Sequence, residues 1–272
     1  MRGMTSALDR SSHRRSCQQH RDARRRSRVE TGMRPARSWP VITLPAIVSA
    51  LLVCALIAAG WLHAGLSEFA RLERLAAQRY DHQAAQRVQD WRDTLVSAAS
   101  LDERRQVHRI NDFFNRNVRY MTDQELWGQT DYWATPLETL GKGGGDCEDY
   151  SIAKYVSLRK LGIPDSRLRL FYVHARLGAL ASNATEAHMV LGYYPSEDAE
   201  PLILDNLISD IRPASRRDDL TPVFSFNSQG LWPDGATTSA GDSTARLSNW
   251  RGVLERMQAD GINLSRPITT GR

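Results

Sequence analysis

The spacing of apolar positions changes period near the middle of the chain. Between residues 67 and 98, Val88, Trp91 and Leu95 recur at i, i+3 and i+7, which predicts a helix over that span. Ser100-Leu101-Asp102-Glu103 reads as a capping box opening a second helix, with Val107, Ile110, Phe113 and Phe114 facing inward. Thr135-Pro136-Leu137-Glu138 predicts a third, short helix: a hydroxyl cap, a proline where no N–H is needed, and a glutamate three residues after the cap. Asp146 opens a fourth helix, and Gly162 with Pro164 stops it. Beyond Pro164 the runs shorten. Residues 168–173, 188–194 and 201–207 are β-branched or aromatic stretches bounded by turn residues, with a further extended run over 223–226. Residues 178–186 form a polar loop, and 233–272 a Gly/Ser/Thr-rich tail around one amphipathic helix near 247–257. Helices first and strands second predict an α+β domain with an antiparallel sheet.

Upstream, residues 41–62 contain no ionised side chain, with Arg34 and Arg37 on their amino side. About 20 apolar residues span a bilayer core, and arginines on the amino side keep that end cytoplasmic, so the remainder is expected to be exported. Ala58-Ala59-Gly60 offers a small-residue cleavage site, so both a signal peptide and a lasting membrane anchor stay open. The expected divisions are a disordered basic leader at 1–38, the apolar segment at 39–66, the main domain at 67–235 and a tail at 236–272. Met33 is an alternative start.

Charge sharpens this division. The net +5 and pI of 9.3 come from the leader, where residues 1–38 hold 11 Arg and no Lys against Asp9, Asp22 and Glu30. Beyond residue 66 there are 25 basic and 28 acidic residues, so the exported part is mildly acidic. The leader adjoins a membrane segment that explains its arginines, and no nucleic-acid partner is expected.

The candidate chemistry lies where the glycine run Gly143-Gly144-Gly145 meets the fourth helix. Cys147 is the only cysteine after residue 66, so the exported part has no internal disulfide, and a lone thiol in an oxidising compartment favours a reactive role. Leu52-Val53 before Cys54 lacks the small residue expected ahead of a lipid-modified cysteine. The first turn of a helix presents unpaired N–H groups and the positive end of a dipole, which stabilise a thiolate. If 188–194 and 201–207 pair across a turn at 195–200, residue numbers summing to about 393–396 lie opposite one another, which places Asp205 within reach of His188. Singly, a His at a strand start or an Asp in a turn has ordinary structural uses. Together with the thiol, Cys147, His188 and Asp205 suit nucleophile, base and orienting acid. The Cys147 backbone N–H is one oxyanion donor; for the second, Trp127 and Trp133 in the preceding loop either supply it or simply pack. Asp146, Glu148 and Asp149 suit helix capping and equally suit a hard cation such as calcium.

GGGDCEDYSIAKYVSLRKLGIP, EAHMVLGYYP and LILDNL, with FFNRNVRYMTDQELWGQTDYWATPLETL before them, resemble the bacterial transglutaminase-like cysteine proteinases of the LapG type over about residues 70–235. The resemblance implies a transglutaminase-like/papain-like cysteine protease fold with Cys147 as nucleophile, His188 as base and Asp205 as its orienting residue. It also implies calcium held by Asp146 and Glu148, with Asp149 a further candidate. The implied task is periplasmic cleavage of a large surface adhesin near its N-terminus, after paired alanines. An inner-membrane cyclic-di-GMP receptor of the LapD type would hold the enzyme back. The same triad would also serve an amidase or acyl transferase acting on cell-envelope peptide or protein amides.

Overall fold

Asp81 breaks the first helical run in two. The computed structural model describes residues 68–176, 184–234, 236 and 238–268. The basic leader and the apolar segment at 41–62 lie outside the described residues, among which no helix is long and apolar enough to cross a membrane. The single helix expected over 67–98 is α1 (68–79) followed by α2 (His82–Ala98). Asp81 sits extended between them and accepts the Ala84 N–H at 2.6 Å, a side-chain cap that competes with helix continuation. Helix α3 (Glu103–Asn117) is capped by Asp102, which accepts the Arg105 N–H at 3.0 Å, rather than by Ser100. The inward stripes are as expected: Val88, Trp91, Leu95, Val107, Ile110, Phe113 and Phe114 share one buried core.

Two short strands, β1 (Arg119–Tyr120) and β2 (Gly144–Gly145), pair in parallel. Between them α4 (Asp123–Trp127) and α5 (Pro136–Lys142) each carry a complete capping box, Thr122 with Glu125 and Thr135 with Glu138. Helix α6 (Cys147–Lys160) is buried on nearly every side, as a central helix must be. Two of its buried polar side chains are partnered across the core: Ser157 Oγ accepts the Trp91 indole N–H at 2.8 Å, and the Tyr155 hydroxyl donates to Asp165.

Six antiparallel strands complete the α+β domain: β3 (Leu168–Arg176), β4 (Thr185–Tyr193), β5 (Leu202–Leu204), β6 (Arg212–Pro213), β7 (Leu220–Phe226) and β8 (Leu231–Pro233). Their order is β6-β5-β4-β3-β7-β8. Leu191 faces Leu204 and Tyr193 faces Leu202, the register expected from the hairpin. Strand β5 ends at Leu204 rather than 207, because the Asp205 carboxylate folds back to accept the Leu207 N–H at 3.0 Å, a local turn that leaves the ladder.

Helices α7 (Ser243–Arg246) and α8 (Ser248–Asp260) occupy the stretch expected to be a tail. Trp250, Val253 and Met257 of α8 lie in the same core as α6. Trp250 meets Tyr155 edge-on with centroids 5.7 Å apart and Phe226 at 5.5 Å. Burying one such indole removes on the order of 200 Å² from water, so this stretch is part of the folded unit rather than an appendage.

Candidate active site

Glycine is required where the chain enters α6. Gly143 closes α5 at φ +65°, a region L side chains rarely adopt. A Cβ on Gly145 would fall 2.7 Å from the Asp149 carboxylate. The β1–β2 pairing fixes this turn, and Cys147 follows as the first residue of α6. Cys147 and Ser151 lie one turn apart on the same helical face, and Ser151 Oγ donates to the Met189 carbonyl of β4 at 3.0 Å. Pairing with β5 begins only at Leu191, so this part of β4 is free to receive α6. Cys147 thus lies one helical turn from a residue bound to the strand position that follows His188.

The thiol also donates to Glu148 Oε2 at 2.8 Å. Burial, then the charge and hydrogen bond of Glu148 and the charge of Asp146, push its pKa well above the usual thiol range, with only the Met189 N–H pulling down. The thiolate stabilisation expected from the helix start is outweighed in this arrangement, because burial first, and then the charges of Glu148 and Asp146, disfavour a second negative charge there.

His188 and Asp205 meet as the register predicts, Nε2 to Oδ1 at 2.9 Å, both buried. Burial alone would raise the Asp205 pKa. The hydrogen bond and charge of His188, the Leu207 N–H and Arg217 outweigh it and hold Asp205 down at about 2. The Asp205 carbonyl is fixed as well, accepting Asn115 Nδ2 at 2.8 Å and the buried Lys154 Nζ at 3.1 Å. Burial lowers the Lys154 pKa to about 7.

The acids divide differently from the expectation. Asp146 and Asp149 converge with Asp123, one carboxylate oxygen of each lying within 4.8 Å of the others; Glu148, grouped with them on the sequence, gives Oε2 to the thiol. Asp146 holds the N-cap position but makes no side-chain cap. Burial, then the charges of Glu148, Asp149 and Asp123, raise its pKa to about 9. Asp149 is pushed well above its ordinary value, chiefly by burial, and Asp123 is raised for the same reason. Asp149 accepts the Ala134 N–H at 2.7 Å and Asp123 the Tyr132 N–H at 2.6 Å, so the cluster also staples the loop ahead of α5.

Each of the three keeps one buried oxygen without a partner among the described residues: Asp123 Oδ1, Asp146 Oδ1 and Asp149 Oδ2. Hard, unpartnered carboxylate oxygens at one point fit a calcium ion. Asp123 is missed by sequence reasoning because a first-turn acid after a Thr cap already has an explanation. Its only signal is that Asp123 follows β1, which pairs with the strand leading into α6.

Of the two tryptophans, Trp133 stacks on Phe226 with centroids 5.6 Å apart and gives its indole N–H to Asp131 at 2.9 Å. The Trp127 indole N–H is buried without a partner among the described residues.

The sequence profile of the bacterial transglutaminase-like cysteine proteinase BTLCP family matches residues 77–219. The structure resembles Legionella pneumophila LapG at 39% identity in an EGTA-treated form (TM-score 0.60, covering 70% of this chain and 97% of that one) and in a calcium-bound form (TM-score 0.58, 70% and 98%). No curated protein matches the chain.

Proposed function

The chain belongs to the bacterial transglutaminase-like cysteine proteinases, and from that premise we propose that it is an exported, calcium-dependent endopeptidase using Cys147, His188 and Asp205. Its substrate in this reading is the N-terminal region of a large surface adhesin, whose release disperses biofilm. A cyclic-di-GMP receptor of the LapD type in the inner membrane restrains it in the periplasm, where residues 41–62 either tether it or are removed. The observation that carries the proposal is the buried His188–Asp205 pair, with Met189, the next residue, accepting Ser151 Oγ one turn along α6 from Cys147.

Mechanism follows from which imidazole nitrogen is committed. With Nε2 on Asp205, Nδ1 is left to take the thiol proton, and the carboxylate stabilises the resulting imidazolium. The thiolate attacks the scissile carbonyl, and the oxyanion receives the Cys147 backbone N–H at the start of α6, where no intrahelical partner competes. His188 then protonates the leaving amine, and water, deprotonated by the same imidazole, hydrolyses the thioester. Asp123, Asp146 and Asp149 are the residues that would hold calcium, which would offset their mutual repulsion and its upward pressure on the thiol pKa. That Legionella LapG was solved both calcium-bound and EGTA-treated supports carrying the ion to this chain.

The test is incubation of the purified chain with the N-terminal part of a co-encoded large adhesin and a labelled primary amine, with calcium or EGTA. A single cut after paired alanines, made only with calcium and without amine incorporation, is expected. An uncut adhesin overturns the substrate, and incorporated amine makes the enzyme an acyl transferase.

A further inference from the structure

Asp205 is held from both sides, and only one side belongs to the triad. Its Oδ1 accepts His188 Nε2 at 2.9 Å and the Leu207 N–H at 3.0 Å. Its Oδ2 accepts Arg217 Nη2 at 2.7 Å. The Arg217 guanidinium also forks onto Asp219, Nε to Oδ1 at 2.9 Å and Nη2 to Oδ2 at 2.7 Å. This arginine is 3% exposed, and it lines a small, mostly apolar pocket with Phe171, Val190, Ile203 and Leu220. Its backbone is tied down too: the Arg217 N–H donates to the Ala214 carbonyl, the Leu220 N–H to the Arg217 carbonyl, and the Arg176 N–H to the Asp219 carbonyl. It is therefore a rigid fork rather than a mobile surface charge.

Two features go beyond an ordinary ion pair. Asp219 already gives Arg217 a bidentate partner, so charge balance does not require Asp205. In addition, Asp205, Arg217 and Asp219 together carry one net negative charge, which the imidazolium form of His188 cancels. The assembly is thus balanced in the protonation state reached on deprotonation of the thiol. A carboxylate bonded at Oδ1 alone can swing about its Cβ–Cγ bond; one also bonded at Oδ2, by a guanidinium whose plane is fixed by its fork onto Asp219, is held.

We propose that Arg217, braced by Asp219, is a positioning residue of this active site, holding the far oxygen of Asp205 so that the near oxygen stays on His188 Nε2. The proposal rests on the reading of Cys147, His188 and Asp205 as a triad. Arg217 touches neither sulfur nor imidazole and acts through Asp205 alone. Lysine in its place would keep the charge and lose the fork.

The experiment is a double-mutant cycle on the calcium-loaded full chain with Arg217→Met, Arg217→Lys, Asp205→Asn and each Arg217 variant combined with Asp205→Asn. Two rates are followed: cleavage of the adhesin N-terminal region, and alkylation of the Cys147 peptide by iodoacetamide, which needs no protein substrate. Rates are scaled to the folded fraction from circular dichroism. Arg217→Met is expected to lower kcat by about 100-fold, the scale of a small misplacement of a reacting group, with KM within about twofold. Arg217→Lys recovers part of that loss. In the Asp205→Asn background neither substitution costs anything more, because the residue through which Arg217 acts is already lost.

Losses that multiply in the double variants, or a wild-type kcat in Arg217→Met, overturn the positioning role. If Arg217→Met does not fold, the Arg217→Lys arm decides in the same way. Wild-type rates in Asp205→Asn would instead remove the triad reading itself. If the adhesin is left uncut, the alkylation arm still tests the proposal.

Discussion

At the start of α6, Asp123, Asp146 and Asp149 crowd together, Asp146 half-buried and the other two buried, each with an oxygen that meets no donor among the described residues; beyond β4, Asp205 is buried with both oxygens filled. Burial disfavours the charged form at both corners. At the first corner like charges add to it, and the Asp146 pKa climbs to about 9. At the second, an imidazole, a backbone N–H and a guanidinium overcome it, and Asp205 falls to about 2. Depth of burial therefore does not set a carboxylate's state; its partners do. The Asp205 corner is complete in the polypeptide alone. The Asp146 corner is left incomplete by the described residues, and Cys147, next in the chain, donates its S–H to Glu148.

The largest expected effect tests whether the thiol joins the corners at all. Cys147→Ala abolishes turnover and leaves the melting temperature unchanged, as read by adhesin cleavage and calorimetry. Next comes the complete corner: Asp205→Asn lowers kcat by roughly 10⁴-fold, since the imidazole loses the partner that fixes its tautomer. A near-wild-type rate would move the orienting role elsewhere. The incomplete corner responds less in rate and with opposite sign in stability. Asp123→Asn weakens calcium binding by about tenfold or more in titration calorimetry, because one charged hard ligand is lost. In EGTA the same variant melts higher than wild type, by about 1 kcal/mol in unfolding free energy, because one of three repelling buried acids is neutral. Asp205→Asn melts lower, because Arg217 and His188 lose an acceptor.

The smallest effect is in the pH dependence. The folded pKa of Asp205 lies below its unfolded value of 3.8, so its stabilisation, about 2 kcal/mol at 1.36 kcal/mol per pKa unit, is present above pH 4 and is lost as pH falls toward 2. Asp146 has the reverse sign. Its folded pKa is raised, so in EGTA its contribution is complete below pH 4 and is lost as pH rises toward 9. Denaturant melts across pH, with and without calcium, read both slopes. Calcium should flatten the second and leave the first.

Much of the complete corner was legible in the chain. Two short β-branched or aromatic runs flanking a turn at 195–200 set a register, and the register brings His188 to Asp205 without any tertiary information. The start and end of α6 were legible through Gly143, Asp146, Gly162 and Pro164, and α5 through Thr135, Pro136 and Glu138. The residues that stayed hidden did so for distinct reasons. Some carry a sufficient local explanation: Asp123 looks like a helix-start acid, and Arg217, in the run Arg216-Arg217-Asp218-Asp219, looks like a solvated charge cluster. Others depend on distant packing. The apolar face of α8 is short and flanked by Gly, Ser and Thr, and only Tyr155 and Phe226, far away in sequence, give Trp250 its place. Asp81 falls in a third class, because helical spacing runs on through it and only its side chain, by capping α2, ends α1.

The thioester at Cys147 is tested most directly by quenching turnover of the calcium-loaded chain on the adhesin N-terminal region with acid and weighing the Cys147 peptide by mass spectrometry. The triad mechanism predicts the N-terminal adhesin fragment attached to that peptide through a hydroxylamine-labile thioester during turnover, and no such adduct in EGTA. Cleavage at full rate with Cys147 unmodified throughout, and undiminished in Cys147→Ala, would contradict it.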